Sequence, residues 1–438
     1  MVTPIKILEE LRLSRFHYIL LTITSLVYAL AAMNVMLIGA LLPAIQKEWK
    51  LTPSEAGYML SFGYLGMFFG AILSGRISDK IGRKYTMILM LSIASIFTGL
   101  CGIAWDFWSM SIMRIIAGIG LGGTLPLPGV YISEYPPARY RGRFVGLVET
   151  AWVYGVILSI IFARIIMPTV GWRTVFVASY IPLLLIPFII FYIPESIRFL
   201  EKKNKPDEIK QIFKKYGLVE DVEKIELSLG KHEETRILEL FTRDYMKRTI
   251  LLWVLWAVLV YTYHGIFIWL PSIYASLFQY EIVKSLEWVL IITLAQIPGY
   301  YSATFLLDKI GRKLVLEIYL TVAGVACLLL ATTIDINMIL MYSIVISFFN
   351  LGAWAGLYTY TPELYPTRIR GTGTGVAASI GRLAGILAPS ITGYLFEVGG
   401  GSLLHAFIIF ALAHIIAALS TLIIGEETKE KMLEEIAR

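Results

Sequence analysis

The apolar positions of this chain come in long unbroken blocks, not in the alternation of a half-buried strand or the stripe of a surface helix. Runs of about 20 apolar residues, the length that carries a helix across a bilayer core, recur twelve times. They cover residues 16–42, 54–75, 85–104, 108–132, 144–167, 172–193, 249–270, 285–307, 314–333, 338–361, 372–396 and 403–424. One interval between them is longer than the rest. From 194 to 247 the chain is dense in Lys and Glu, and it divides six runs from six. Within it Ile209, Ile212 and Phe213 fall at i, i+3 and i+4, which predicts short amphipathic helices on one membrane face. The pattern predicts an all-α membrane protein of twelve transmembrane helices: a bundle over 1–193, a linker over 194–247 and a second bundle over 248–438. The first run follows a charged lead and is too long for the core of a cleavable signal peptide, so none is expected.

Composition agrees. Of 438 residues, 57% are hydrophobic and 16% charged, with a mean hydropathy of +0.71; a soluble chain of this length needs more charge outside. The formal charge of +6 sits in alternate loops. Arg76, Lys80, Arg83 and Lys84 follow the second span, Arg139, Arg141 and Arg143 the fourth, Lys309, Arg312 and Lys313 the eighth, and Arg368 and Arg370 the tenth. The opposite loops hold Lys47, Lys50, Arg173 and Lys284, with Arg164 near a membrane edge. Such a bias marks the cytoplasmic side, so both termini are expected inside the cell membrane. Positive loops held by the inner leaflet account for the charge without a nucleic-acid partner. Cys101 and Cys327 lie within spans 3 and 9 and read as packing residues, with no disulfide.

The loops also repeat. S-D-K-I-G-R-K at 78–84 returns as L-D-K-I-G-R-K at 307–313, so that Asp79 and Asp308 stand 229 positions apart. The same shift lays E-Y-P-P-A-R-Y-R-G (134–142) on E-L-Y-P-T-R-I-R-G (363–371). Two motifs sharing one offset mark a duplication. Six spans per copy is an even number, so the copies are parallel repeats about an axis along the membrane normal.

On these residues the chain resembles the major facilitator superfamily over essentially its whole length. G-R-I-S-D-K-I-G-R-K (75–84) looks like the family's signature loop between spans 2 and 3. P-E-S-I-R-F-L (194–200) and P-E-L-Y-P-T-R-I-R-G (362–371) resemble the sugar-porter branch and its relatives, among them niacin and aromatic-acid carriers, organic-ion carriers and the synaptic-vesicle-protein-2 group. Y-H-G-I-F-I-W-L-P (263–271), W-A-G-L-Y-T-Y-T-P-E (354–363) and R-G-R-F-V-G-L-V-E (141–149) look closer to the niacin/organic-acid type, and the Gln-rich span-7 motif of true sugar porters is absent. The resemblance implies that Asp79 faces the start of span 11, near residues 371–375, and Asp308 the start of span 5, near Gly142. A carboxylate there would meet free N–H groups and the helix dipole. Arg83, Glu134 and Arg141, with Arg312, Glu363 and Arg370, would form charge clusters joining the halves as a gate, and Glu195 belongs to the same set. Gly82 and Gly311 would permit the tight loops.

Polar groups inside apolar spans are costly in lipid and mark solute paths. Five stand out: Asn34 in span 1, Arg114 in span 4, Glu149 in span 5, His264 in span 7 and Arg382 in span 11. In the family an Arg like Arg114 commonly partners a span-1 acid that takes the coupling proton. Here the matching position is Asn34, which cannot titrate, as in facilitative sugar carriers. Glu149 is the replacement, able to exchange a proton. Arg382 is either its resting partner or a clamp for a substrate carboxylate; a permanent ion pair fixing spans 5 and 11 is the plainer alternative. Tyr261, Tyr263 and His264 precede Gly265 and Pro271, where span 7 can bend toward a cavity. Trp152, Trp354 and Tyr358 would add aromatic walls for a planar ligand, as would Tyr28 and Tyr360. Asp106, Asp335 and Glu397 lie on outer loops, where solvation explains them.

No Walker-type phosphate loop, no metal-ligand spacing among five His and two Cys, and no catalytic constellation occurs. The reading is therefore not an enzyme and not an ATP-driven pump, with no cofactor. It is a monomeric secondary transporter moving a small organic solute by alternating access, the favoured solute an organic or aromatic acid in symport with protons. A sugar or polyol carrier, uncoupled, is the alternative within the class. A non-transporting sensor on the same scaffold is the alternative outside it.

Overall fold

The computed structural model describes residues 3–219, 237–277, 281–366 and 368–429. The stretch 220–236 of the linker and the last residues of the tail lie outside the described residues. Twelve helices are long and apolar enough to cross a membrane: Arg15–Trp49, Pro53–Ile81, Arg83–Ile103, Phe107–Ile132, Arg139–Val170, Trp172–Tyr192, Met246–Leu277, Ile282–Ile310, Arg312–Thr332, Ile336–Glu363, Arg370–Val398 and Leu404–Ile424. They are spans 1 to 12. Spans 1–6 and 7–12 form two parallel repeats, and both described chain ends fall on one face, here the termini face.

Helix ends follow from local chemistry. Thr52 and Glu55 make a capping box ahead of Pro53 at the start of span 2, a reciprocal pairing that satisfies two free N–H groups. Asp106 accepts from the Ser109 amide at 2.8 Å to cap span 4, and Asp335 accepts from the Asn337 amide at 2.8 Å to cap span 10. These acids are helix caps, not merely solvated charges. Gly82 and Gly311 take φ of +93° and +97°, turns that an L side chain resists.

Close packing within the first half rests on small residues. Gly66 and Gly70 of span 2 lie against the Ile115 and Ile119 carbonyls of span 4, while Gly118 and Gly122 of span 4 lie against the Gly63 and Met67 carbonyls. A Cβ at any of these four would collide with backbone. Span 1 is the most enclosed of the twelve. Some spans are interrupted within their length, span 6 by the 3-10 stretch Phe176–Leu185. Span 4 passes from Phe107–Thr124 to Pro126–Ile132, span 7 from Met246–Phe267 to Leu270–Leu277, and span 8 from Ile282–Leu294 to Gln296–Ile310.

The halves meet on the face opposite the termini. Ser61 and Ser390 hydroxyls are 2.6 Å apart, Ser272 donates to Gln46 at 2.8 Å, and the Ser54 amide donates to Glu397 at 2.9 Å. Arg164 pairs with Glu287. Gly57 and Gly393 lie against the Pro389 and Pro53 carbonyls. Glu397 therefore helps close a seam between spans 2 and 11. At the termini face the matching glycines Gly142, Gly146, Gly371 and Gly375 border open space. The molecule is closed at one end and parted at the other.

Candidate transport site

Glu149, Trp152, Tyr358 and Arg382 are each partly exposed although their helices run through the membrane; they line the hollow between the halves. Glu149 accepts a hydrogen bond from the Tyr28 hydroxyl at 2.5 Å. Tyr358 of span 10 also interacts with this carboxylate, so span 5 is bridged to span 1 within its own half and to the other half. Arg382 lies near Tyr28 and Tyr358, and among the described residues it forms no ion pair with Glu149. The expected resting pair is thus not made here: a tyrosine hydroxyl satisfies the carboxylate, and the guanidinium faces the hollow.

Aromatic rings pack around these two side chains. Trp152 and Tyr28 have centroids 6.1 Å apart. Trp256, Trp354 and Tyr358 pack mutually at 5.5–5.7 Å. Two further hydrogen-bonded links cross the halves: Tyr64 to Nδ1 of His264 at 2.7 Å, and Nε1 of Trp152 to the Tyr263 hydroxyl at 2.8 Å. Tyr263 in turn donates to Oε1 of Gln296 at 3.2 Å. Tyr64, Trp256 and Gln296 are not among the residues that the sequence pattern marks. A lone Gln beside Pro298 at a helix break is the one signal that could have flagged the last of them.

Three expected ligands sit elsewhere. Asn34 and Arg114 are buried inside the first bundle, with Nδ2 of Asn34 donating to the Ser179 carbonyl at 3.4 Å and Arg114 donating to the Asn34 carbonyl at 3.5 Å. They bind spans 1, 4 and 6 together rather than line the hollow. Tyr261 turns to span 12, its ring 5.5 Å from Phe410. Tyr360 donates to the Glu426 carbonyl at 2.7 Å and anchors the tail.

The repeated loops build two matching clusters at the termini face. In the first, Arg83 pairs with Glu134 at 2.7 Å, Ser196 donates to Glu134 at 2.5 Å, and Glu195 accepts from the Arg83 amide at 2.7 Å and the Lys84 amide at 3.2 Å. In the second, Arg312 pairs with Glu363 at 3.1 Å, Thr428 donates to Glu363 at 2.6 Å, and Glu427 accepts from the Arg312 amide at 2.9 Å and the Lys313 amide at 3.1 Å. Each glutamate caps the helix that follows a positive-φ glycine, where free N–H groups favour an anion. Burial pushes the Glu134 and Glu195 carboxyls above the usual carboxylate range, opposed for both by Arg83 and for Glu195 also by backbone amides. The second cluster draws on the tail residues 427 and 428, a role the sequence reading did not give them.

These clusters tie each half to itself, not the halves to each other. Asp79 pairs with Lys202 of the linker at 3.2 Å and Asp308 with its own helix neighbour Arg312 at 3.6 Å, so neither reaches the opposite half as expected. Arg141 lies 3.8 Å from Glu9, and Arg370 donates to the Tyr365 carbonyl at 3.4 Å. The physical reason is the parted termini face, which removes the helix starts that the aspartates would meet. The linker joins the first half: helix Pro206–Lys215 buries Ile209 and Phe213, as its periodicity predicts, and Tyr216 packs against Phe16, the rings tilted and 4.7 Å apart.

Twelve spans in two parallel repeats around a polar, aromatic-walled hollow define a membrane transport protein. The chain belongs to the Major Facilitator Superfamily, whose model matches residues 24–389 and 283–436. It is 35% identical to the niacin transporter NiaP of Acinetobacter baylyi, over 98% of both chains. It is 34% identical to the putative niacin/nicotinamide transporter NiaP of Bacillus subtilis, over 95% of this chain and 97% of the relative. The inward-open xylose transporter XylE from E. coli has the same fold, with TM-score 0.75, 19% identity and coverage of 96% and 99%. The protein is a multi-pass membrane transporter and not an enzyme.

Proposed function

We propose that this protein is a secondary carrier of the cell membrane that takes a planar aromatic acid, of the nicotinate kind, in symport with protons by alternating access. The observation that carries the reading is the Tyr28–Glu149 hydrogen bond at 2.5 Å, which satisfies a carboxyl that has no ion pair among the described residues, beside an aromatic cage and a separate Arg382. A carboxyl so placed can carry a proton through the membrane, and a free guanidinium complements a carboxylate. The niacin transporters among its relatives support the solute class. The Lys/Arg bias supports a cytoplasmic termini face, and on that orientation the present arrangement is inward-facing. Arg83, Glu134, Glu195, Arg312, Glu363 and their neighbours then keep each half rigid while the halves rock, with Asp79 and Asp308 exposed to latch when the inside closes.

The test is uptake of labelled nicotinate into proteoliposomes holding the purified protein. Uptake is expected to rise with an inward proton gradient and to lose that rise in Glu149→Gln. Gradient-driven uptake surviving in Glu149→Gln would remove Glu149 from coupling. Asn34, which cannot titrate, favours a second reading of uncoupled carriage; gradient-independent uptake by the wild type would select it.

A further inference from the structure

Span 8 breaks where Gln296 begins its second helix. Pro298 has no N–H for the Leu294 carbonyl, and nearby the Ile292 carbonyl accepts both the Ala295 amide at 3.2 Å and the Ser347 hydroxyl at 2.6 Å. Non-helical backbone at this depth is stable only where protein encloses it or a cavity meets it. Gln296 itself is fully buried. Its orientation is set by a relay: Trp152 donates to Tyr263 and Tyr263 donates to Oε1 of Gln296. Turning the amide over would leave the Tyr263 proton unmatched, so the hydrogen-bond network assigns the NH2 group to the other side. There Nε2 has no acceptor among the described residues. Nε1 of Trp354 is also buried without an acceptor, on the ring that stands 6.4 Å edge-on to Tyr263. Buried donors are rarely left unmatched, and each such group calls for an explanation.

We propose that Gln296 and Trp354 form the seat for an oxygen-acceptor group of the transported solute, a carboxylate or carboxamide attached to a flat ring. Nε2 of Gln296 and Nε1 of Trp354 donate to its oxygens, and the Trp256–Trp354–Tyr358 cluster covers the ring. Arg382 adds a charge-assisted hydrogen bond to the anion, and the two neutral donors fix where its oxygens rest. Neutral donors accept an acid and its amide alike, which a guanidinium clamp alone does not. The proposal rests on the aromatic-acid reading above.

The experiment is equilibrium binding of nicotinate, nicotinamide and 3-methylpyridine to the full-length protein in lipid nanodiscs. Wild type, Gln296→Leu, Gln296→Glu and Trp354→Phe are compared, each first checked for monodisperse elution. Gln296→Leu is expected to weaken nicotinate and nicotinamide by roughly tenfold or more, and Trp354→Phe by roughly threefold to tenfold, from loss of one hydrogen bond. 3-Methylpyridine, which lacks the oxygens, binds weakly and equally to all. Gln296→Glu keeps the acceptor for Tyr263 and nearly the same shape, but repels a carboxylate while accepting from a carboxamide N–H. It is expected to move the preference toward nicotinamide by roughly tenfold. Binding of nicotinate by wild type with no loss in Gln296→Leu or Trp354→Phe would overturn the seat and leave the aromatic-acid reading standing. Failure of wild type to bind either acid or amide would overturn that reading, and the seat with it.

Discussion

At the termini face the two halves are near copies; in the hollow they are not. Arg83, Glu134, Glu195 and Ser196 are answered by Arg312, Glu363, Glu427 and Thr428, bond for bond. Even the lysines agree: Lys84 donates to the Ile190 carbonyl at 2.7 Å and Lys313 to the Leu422 carbonyl at 2.9 Å. In the hollow the first half brings Glu149 with Tyr28 and Trp152, while the second brings Arg382, Gln296 and a cluster of Trp and Tyr. Symmetry persists where each bundle holds its own shape, and it is lost in the hollow, where the proposed function has the two bundles grip one asymmetric solute. On the proposed function the duplicated clusters are fittings of a rigid half, and the unmatched residues are the ones that would carry specificity.

The sharpest way to break this comparison is to stop the halves from moving. Ser61→Cys with Ser390→Cys replaces hydroxyls 2.6 Å apart on spans 2 and 11, and oxidation is expected to join them and abolish uptake, with reductant restoring it. Cys101 and Cys327 are buried and take no part. Undiminished transport by the oxidised, fully crosslinked protein would mean that this seam does not open and the halves are not the moving units.

Next come the unmatched charges. Arg382→Ala is expected to weaken nicotinate binding by roughly 10- to 100-fold, the worth of a charge-assisted hydrogen bond. Glu149→Gln is expected to spare binding and exchange but remove the response to a proton gradient. Calorimetric titration of the two variants separates the roles. Equal loss of binding in both would merge them into one ion pair and restore the plainer reading of a fixed strut.

A third measurement asks how alike the clusters are. Glu134 has a side chain 2% exposed against 22% for Glu363. Removing the arginine leaves a carboxylate more deeply stranded in the first half, and stranding a buried charge costs about 3–5 kcal/mol. Arg83→Ala is expected near the lower figure, about 3 kcal/mol, and Arg312→Ala at about 1–2 kcal/mol, read from thermal unfolding in detergent. The reverse order would show that exposure does not set the cost.

Much of the frame could be read from residues alone. The apolar runs locate every span because lipid leaves no other way to satisfy twelve stretches of backbone. The offset of 229 exposes the duplicated loops. The tail's part in the second cluster stayed hidden because Glu195 and Glu427 stand 232 positions apart, so a fixed shift passes over them. Within the spans, polarity marks which side chains need partners but not which neighbour each helix face meets. Tyr261 and His264 belong to one turn, yet one packs on span 12 and the other bonds to span 2. Asn34 and Arg114 look like ligands on the same evidence as Glu149, and only the packing of spans 1, 4 and 6 separates them. The expected aspartate contacts need the termini face closed, and the sequence does not state that here it is parted.

The smallest effect concerns those aspartates. Asp79 and Lys202 have side chains 67% and 58% exposed, and an exposed pair of this kind contributes about 0.5 kcal/mol or less. Lys202→Ala is expected to leave both the melting temperature and the uptake rate nearly unchanged. Asp79→Asn should differ in kind: it spares stability but slows uptake, because the carboxylate is needed only when the inner face closes on the start of span 11. Accessibility of Gly371→Cys and Gly142→Cys to a membrane-impermeant maleimide reads that closure, since both positions border open space here. In the otherwise unaltered protein a saturating solute and an inward proton gradient should protect both cysteines, and Asp79→Asn should shorten that protection. If the aspartate serves only insertion and folding, protein yield falls, while labelling and the rate per folded molecule stay the same.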